Sequence, residues 1–368
     1  MDYKSATDQE LKPQISPKRK YNKIKTLVFV FTLFGVALFA YFAYTVGLSA
    51  IFEGIGKIGF GGFGIILFIY FLRLSVRATA WRFTAQAPYK LRYLDTLPAV
   101  IIGEALSSMI PLGILVSGTA KAVAVRKKVP LVVGLSTVAT ENLFFSFITG
   151  LFLCVGSFVF MRSFDLDPAT IFTINVIIVS ITVATIIGVL MVIRQWHWAS
   201  AICEWLYRRG VLPSLLENGR KQVRVFEDLI YGFYRRYPKR FIPMCLLQAV
   251  FHLLGVFEVW FILSRIGGVL PQVSTAFFLE TISRLITIVF KLIPFTVGVD
   301  EAGAEFIAEL LGIGAGMGVT LAIIRKGRTI FWAGIGMLLL FKRGLTIREI
   351  SEVRKTGAAK GELGSIAE

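Results

Sequence analysis

Phe290-Lys291-Leu292-Ile293-Pro294-Phe295-Thr296-Val297-Gly298-Val299-Asp300-Glu301-Ala302-Gly303-Ala304-Glu305 is the stretch whose reading decides the fold. It sets the ionisable side chains of Lys291, Asp300, Glu301 and Glu305, with the helix breakers Pro294 and Gly298, inside a region too apolar for water. A charged side chain at the middle of a bilayer costs about 2.5–3.5 kcal/mol on insertion scales, so these side chains do not face lipid. Non-helical backbone at membrane depth is tolerated only where it is buried in protein or lines a wet cavity. Pro294 and Gly298 therefore predict two half-helices meeting at a turn, a re-entrant hairpin beside a polar site.

The rest of the chain has the composition such a hairpin needs. A mean hydropathy of +0.72, with 55% hydrophobic and 17% charged residues in 368, means more apolar surface than one soluble core hides. The formal charge of +17 would suit nucleic acid if the basic residues shared one solvated domain. They sit between apolar runs instead, so no nucleic-acid partner is expected. Cys154, Cys203 and Cys245 are widely separated, which excludes a disulfide framework and metal-ligand spacing; no cofactor motif is present either.

The expected architecture is an all-α polytopic bundle of about six full spans plus two re-entrant hairpins. Residues 1–25 form a basic cytoplasmic tail, and an integral membrane domain runs from 26 to 341. Its first span, 26–46, has the roughly 20 apolar residues a bilayer core requires and no small-residue cleavage site, so it reads as an uncleaved anchor. The second, 60–80, follows a glycine-rich loop whose small residues serve turning and close helix packing. Residues 97–128 break at Met109-Ile110-Pro111-Leu112-Gly113, a re-entrant pair with Pro111 and Gly113 at its turn. Spans at 129–160 and 169–193 follow, then a basic connection over 194–240. Within it, Leu212, Leu216, Val223, Phe226, Ile230 and Phe233 share one helical face opposite Arg220, Lys221 and Arg224. That helix either lies along the membrane surface or caps the bundle. Spans at 241–263 and 319–341 complete the set, and 342–368 is a polar tail.

Of the 40 Lys and Arg, 32 assign to one side of this layout. Lys57, Arg162 and Arg265 fall in the opposite loops, and Arg284, Lys291, Arg325, Lys326 and Arg328 in or beside the second hairpin and last span. The positive-inside rule places the 32, and both termini, in the cytoplasm. The first hairpin then enters from the cytoplasm and the second from outside. Each half, 26–160 and 169–341, reads as span, span, hairpin, span in opposite senses. Met109-Ile110-Pro111 returns as Leu292-Ile293-Pro294 183 residues later, and Glu141 corresponds to Arg325 184 residues on. An inverted repeat of this kind puts a substrate site near the midplane between the halves.

Glu141 and Arg325 either pair across the repeat interface or bind opposite charges on a headgroup. Arg284, Lys291, Arg325, Lys326 and Arg328 make a positive cluster suited to phosphate, unless they snorkel to the interface, as Lys326 and Arg328 are placed to do. Asp300, Glu301 and Glu305 either hold a cation or a substrate amine or, for the first two, stabilise the N-terminus of a half-helix. Glu104, Lys121, Glu258 and Glu280 are weaker candidates. His252 reads as a packed core histidine, and His197 lies between Trp196 and Trp198 in an interfacial belt. Without a nucleophile elbow, Walker, zincin or Rossmann context, no catalytic constellation and no primary pump are expected.

The Pro111-Leu112-Gly113 hairpin, the basic run to Lys128, the Glu141 span, and Ile293-Pro294 through Gly298 and Glu301 to the Arg325 span resemble the lysylphosphatidylglycerol synthase transmembrane region. This flippase-like family's similarity covers roughly residues 20–341. The resemblance implies a lipid-handling role. Fused members move aminoacylated phosphatidylglycerol across the bacterial inner membrane after a soluble acyltransferase-like domain has made it, and stand-alone members accompany hopanoid or glycolipid pathways. Only 27 residues follow Phe341, which departs from the fused type and speaks against lysyl transfer. The expected function is translocation or binding of an amphipathic lipid (phospholipid, aminoacyl-phospholipid, hopanoid or glycolipid) between two inverted halves in the bacterial inner membrane. The alternatives are a membrane enzyme or enzyme subunit for lipid modification, and an ion-coupled solute carrier. The expected partners are membrane lipids, with a separate lipid-modifying enzyme as an optional one; the oligomeric state is left open.

Overall fold

The computed structural model describes residues 48–109, 113–164, 168–209, 213–267, 271–290, 293, 296 and 298–343. The expected first span, residues 1–25 and 344–368 of the tails, and Pro111, Leu212, Lys291 and Pro294 lie outside them. Among the described residues the regular structure is helical, with no strand. In chain order the helices are α1 (Leu48–Thr84), α2 (Tyr93–Met109), α3 (Gly113–Ala124), α4 (Leu131–Ser163), α5 (Pro168–Arg194) and α6 (Trp198–Arg208). They continue as α7 (Pro213–Arg236), α8 (Phe241–Ile266), α9 (Val273–Val289), α10 (Val299–Leu310) and α11 (Met317–Lys342).

Three segments, Gly56–Thr84, Leu131–Ser163 and Pro238–Ile266, are long and apolar enough to cross a membrane. Their outward faces suit lipid: Ile242, Leu246, Val250, Leu253 and Phe257 form an exposed stripe along α8 at three- and four-residue steps. On α5, Val176, Val179, Val183, Ile187 and Leu190 do the same. The chain is a helical, multi-pass membrane protein.

The run read as a glycine-rich loop is instead helical on both sides of Gly59, whose φ of 61° and ψ of 176° break α1. Glycine takes that conformation without steric cost. A Cβ on Gly56, Gly61 or Gly64 would meet nothing within 4 Å, so close packing is not what these residues supply. The apolar face of α7 buries Ile230 and Phe233, the latter with Phe144 of α4 and Met244 of α8, so this helix caps the bundle.

At the centre α1 and α8 pack along each other. The two expected breaks each yield a pair of short helices in mutual contact, α2 with α3 and α9 with α10. Around the central pair, α2 packs on α1 and α11, while α9 packs on α8 and α4. Likewise α3 packs on α4, α10 on α11, and both α4 and α11 touch α1 and α8. Glycine permits two of these approaches. A Cβ on Gly156 of α4 would lie 2.4 Å from Thr281 Oγ1 of α9, and one on Gly336 of α11 would lie 2.5 Å from Ala105 Cβ of α2.

Candidate functional site

Arg73, on α1, is 1% exposed and reaches two fully buried carboxylates, Glu258 of α8 at 3.0 Å and Glu280 of α9 at 3.2 Å. Glu280 also accepts from Arg284 at 2.7 Å and from Arg325 of α11 at 2.8 Å, and Glu258 pairs with Arg328. Helical spacing makes this convergence possible, since residues four apart (280 and 284) or three apart (325 and 328) share a face. Gly255 of α8 leaves the room: a Cβ there would sit 2.4 Å from Glu280 Oε1 and 2.9 Å from Arg73 Nη2.

Four guanidiniums thus share two carboxylates. Each carries five N–H donors in a fixed fork, and Nε of Arg73, Arg284 and Arg328 is buried without a hydrogen-bond partner. Aromatic faces offset part of the exposure to low dielectric: Arg328 lies 4.0 Å from the Tyr70 ring centroid and Arg73 4.5 Å from that of Phe251.

All four arginines line a cavity of about 140 Å³. That is about ten times the space one water needs. Ser107 and Ser108, at the end of α2, and Thr296 and Asp300, at the second break, also line it. Asp300 Oδ1 is buried without a hydrogen-bond partner. The cavity thus draws its lining from the end of α2 and from the second break.

The second break is built by local chemistry. The N–H groups of Ile293 and Thr296 donate to the carbonyls of Phe290 and Ile293, each at 3.0 Å, tightening the turn after α9. Thr296 (φ 46°) and Gly298 (φ 83°) are left-handed, which prevents the helix from continuing. Gly298 N–H donates to the Glu301 carboxylate at 2.8 Å, and Lys326 pairs with the same carboxylate. Glu301 thus caps the start of α10. Glu305, 2% exposed, accepts from the backbone N–H groups of Gly316 and of Val319, the latter at 3.1 Å, and anchors the start of α11. Of the sequence candidates, Glu104, Arg284, Asp300, Arg325, Lys326 and Arg328 meet at the cavity; Lys326 and Arg328 pair inward with Glu301 and Glu258 and do not snorkel to the interface, while Glu301 and Glu305 serve the backbone around the cavity. Lys291 and Pro294 fall outside the described residues, as does Pro111; Gly113 opens α3 and Gly298 opens α10.

Glu141 belongs to another cluster. It accepts from Arg77 at 3.2 Å and from Gln248 Nε2 at 3.2 Å, with Lys121 Nζ 3.6 Å away. Arg77 also faces Glu104 at 3.6 Å, and Tyr70 donates to Glu104 at 3.1 Å. Glu141 and Arg325 therefore have separate partners and do not pair with each other. His252 accepts from or donates to Thr149 Oγ1 at 3.0 Å and stacks on Phe152 at 4.7 Å.

Arg73 and Arg77 were overlooked by sequence reasoning, which counted them, with Lys121, among the 32 cytoplasmic charges. All three are drawn into ion clusters inside the bundle, leaving 29 for that side. The signal was present: two arginines four residues apart on an apolar helix share one face, and that face cannot meet lipid.

The chain belongs to the family described as the lysylphosphatidylglycerol synthase TM region, whose model matches residues 26–336. No curated protein and no solved structure matches it.

Proposed function

We propose that this protein binds and translocates an amphipathic lipid between two inverted halves, with the headgroup phosphate in the arginine-lined cavity and the acyl chains toward the bilayer. One observation carries the reading: four guanidiniums share two carboxylates around a cavity lined by the end of α2 and the second break, leaving buried N–H donors for an anion. Arginine forks match phosphate oxygens in pairs, which makes this surface suited to a phosphodiester. Asp300, with its unpartnered oxygen, offers a place for a positive group on the same headgroup. Binding and movement require no bond to be made or broken, and a separate enzyme supplies the lipid where it is a modified one.

The inverted repeat draws support from packing. Exchanging α1 with α8, α2 with α9, α3 with α10 and α4 with α11 turns every contact named above into another contact of the same bundle. Charges follow the exchange with reversed sign: Glu141 on α4 faces Arg77 on α1, and Arg328 on α11 faces Glu258 on α8. On this reading the short pairs are re-entrant hairpins entering from opposite sides, joined by about six full spans. By the positive-inside rule the 29 remaining basic residues favour the cytoplasmic side for both termini, in keeping with a place in a bacterial inner membrane.

The test is native mass spectrometry of the protein taken from its own membrane, beside Arg325→Ala. One lipid class retained by the wild type and lost from the variant is the expected result. Bulk lipid in both forms sinks the headgroup site. Conversion of a labelled lipid by the purified protein alone would replace translocation by catalysis.

A further inference from the structure

A second hollow, of about 590 Å³ and mostly apolar in its lining, lies away from the central cavity, between the α1–α2 connection and the segment that leads into α8. Arg82, Lys90, Arg92 and Arg240 contribute to its walls together with Tyr89 and Tyr237, and no carboxylate lines it among the described residues. Among the described residues none of the four cations forms an ion pair; Asp95, the nearest acid in sequence, accepts from the backbone N–H of Arg92 at 3.1 Å. Arg240 is held in place: its Nη1 donates at 2.8 Å to the carbonyls of both Phe83 and Ala85, capping the C-terminal end of α1, and its guanidinium lies 4.2 Å from the Tyr237 ring centroid. Tyr237 in turn accepts from Ala87 N–H at 3.3 Å, which ties the two walls together. The hollow thus has a fixed floor, and three further cations at its rim, Arg82, Lys90 and Arg92, are exposed.

Its depth identifies the ligand. Gly56–Thr84 ends and Pro238–Ile266 begins at its edge, so it stands at the level where lipid phosphates lie. Leu94, 76% exposed, and Ile242, 68% exposed, follow within a few residues and offer apolar surface to acyl chains. We propose that this hollow is a second anion site, taking the phosphodiester headgroup of an acidic phospholipid from the leaflet at this end of α1. The proposal rests on membrane placement alone and stands independently of the central cavity.

The experiment uses the full chain in nanodiscs of phosphatidylcholine, titrated with phosphatidylglycerol and read by native mass spectrometry. The variant Arg82→Gln/Lys90→Gln/Arg92→Gln is compared with the wild type; Arg240 is left intact because it holds the end of α1. Each basic group near a membrane surface contributes about 1 kcal/mol toward anionic lipid, so one phosphatidylglycerol binds roughly 100-fold more weakly in the triple variant. Arg82→Lys/Arg92→Lys retains it, and the lipid lost from Arg325→Ala stays bound in the triple variant. Unchanged phosphatidylglycerol binding in the triple variant overturns the proposal. So does displacement of the lipid by millimolar inorganic phosphate or glycerol phosphate, which would make a soluble anion the ligand.

Discussion

Arg73 and Arg77 stand one turn apart on α1 and lead into two ion clusters of opposite character. Around Glu141, one carboxylate receives Arg77, Lys121 and the Gln248 amide. Around Glu258 and Glu280, two carboxylates receive four guanidiniums, and three Nε atoms remain without partners beside a cavity. Buried polar groups are nearly always satisfied, so orphaned donors in a native fold call for an explanation. The first cluster reads as a tie between α1, α3, α4 and α8; the second reads as a tie with unused capacity. What separates a binding site from a structural ion pair in this bundle is the surplus of donors next to open space, and not the number of charges.

The largest effect expected is on stability. Removing one partner of a buried ion cluster costs about 3–5 kcal/mol because it leaves uncompensated charge. Glu280→Gln strips the main acceptor from Arg73, Arg284 and Arg325 together, so its loss in thermal unfolding in detergent should exceed that of Glu141→Gln, which leaves Arg77 with Glu104. Equal losses would erase the contrast between the clusters.

Lipid retention should separate them next. Arg284→Gln takes a donor from the cavity while Glu280 keeps Arg73 and Arg325, and loss of one charge-assisted contact corresponds to roughly 10–100-fold weaker binding of a phosphate-bearing lipid. Lys121→Met, in the Glu141 cluster, which has no orphaned cationic donor among the described residues, should leave retention unchanged in the same mass-spectrometric assay. A drop caused by Lys121→Met would mean that the two clusters form one site.

The smallest effect concerns Glu305, whose side-chain hydrogen bonds among the described residues go to backbone N–H groups. Glu305→Gln weakens the anchoring of Gly316 and Val319, at about 1–3 kcal/mol of stability, with lipid retention intact. Loss of the bound lipid with unchanged melting would move Glu305 into the site.

Much of the bundle was legible in the sequence because its determinants are local. The break after α9 follows from the left-handed backbone at Thr296 and Gly298, and Glu301 three residues after Gly298 is a recognisable cap. The glycine run before Phe60 misled, since glycine marks both loops and helix kinks, and Gly59 alone makes the turn. Arg284 and Arg325 were visible as intramembrane cations. Arg73 and Arg77 were hidden by lying near the end of a span, where a basic residue ordinarily belongs to the cytoplasmic edge.

By itself, the sequence determined that this chain is an all-helical membrane protein with paired helix breaks and charges that must face inward, because span length, backbone hydrogen bonding and the cost of burying charge act over a few residues. Tertiary structure alone decided which charges meet. Arg73 finds Glu258 and Glu280 across 185 and 207 residues, and Arg328 finds Glu258 across 70. Spacing along a helix says which residues share a face, but the partner of that face is set by how whole helices pack. Only that packing separates the satisfied carboxylate at Glu141 from the surplus of guanidinium donors around Glu258 and Glu280.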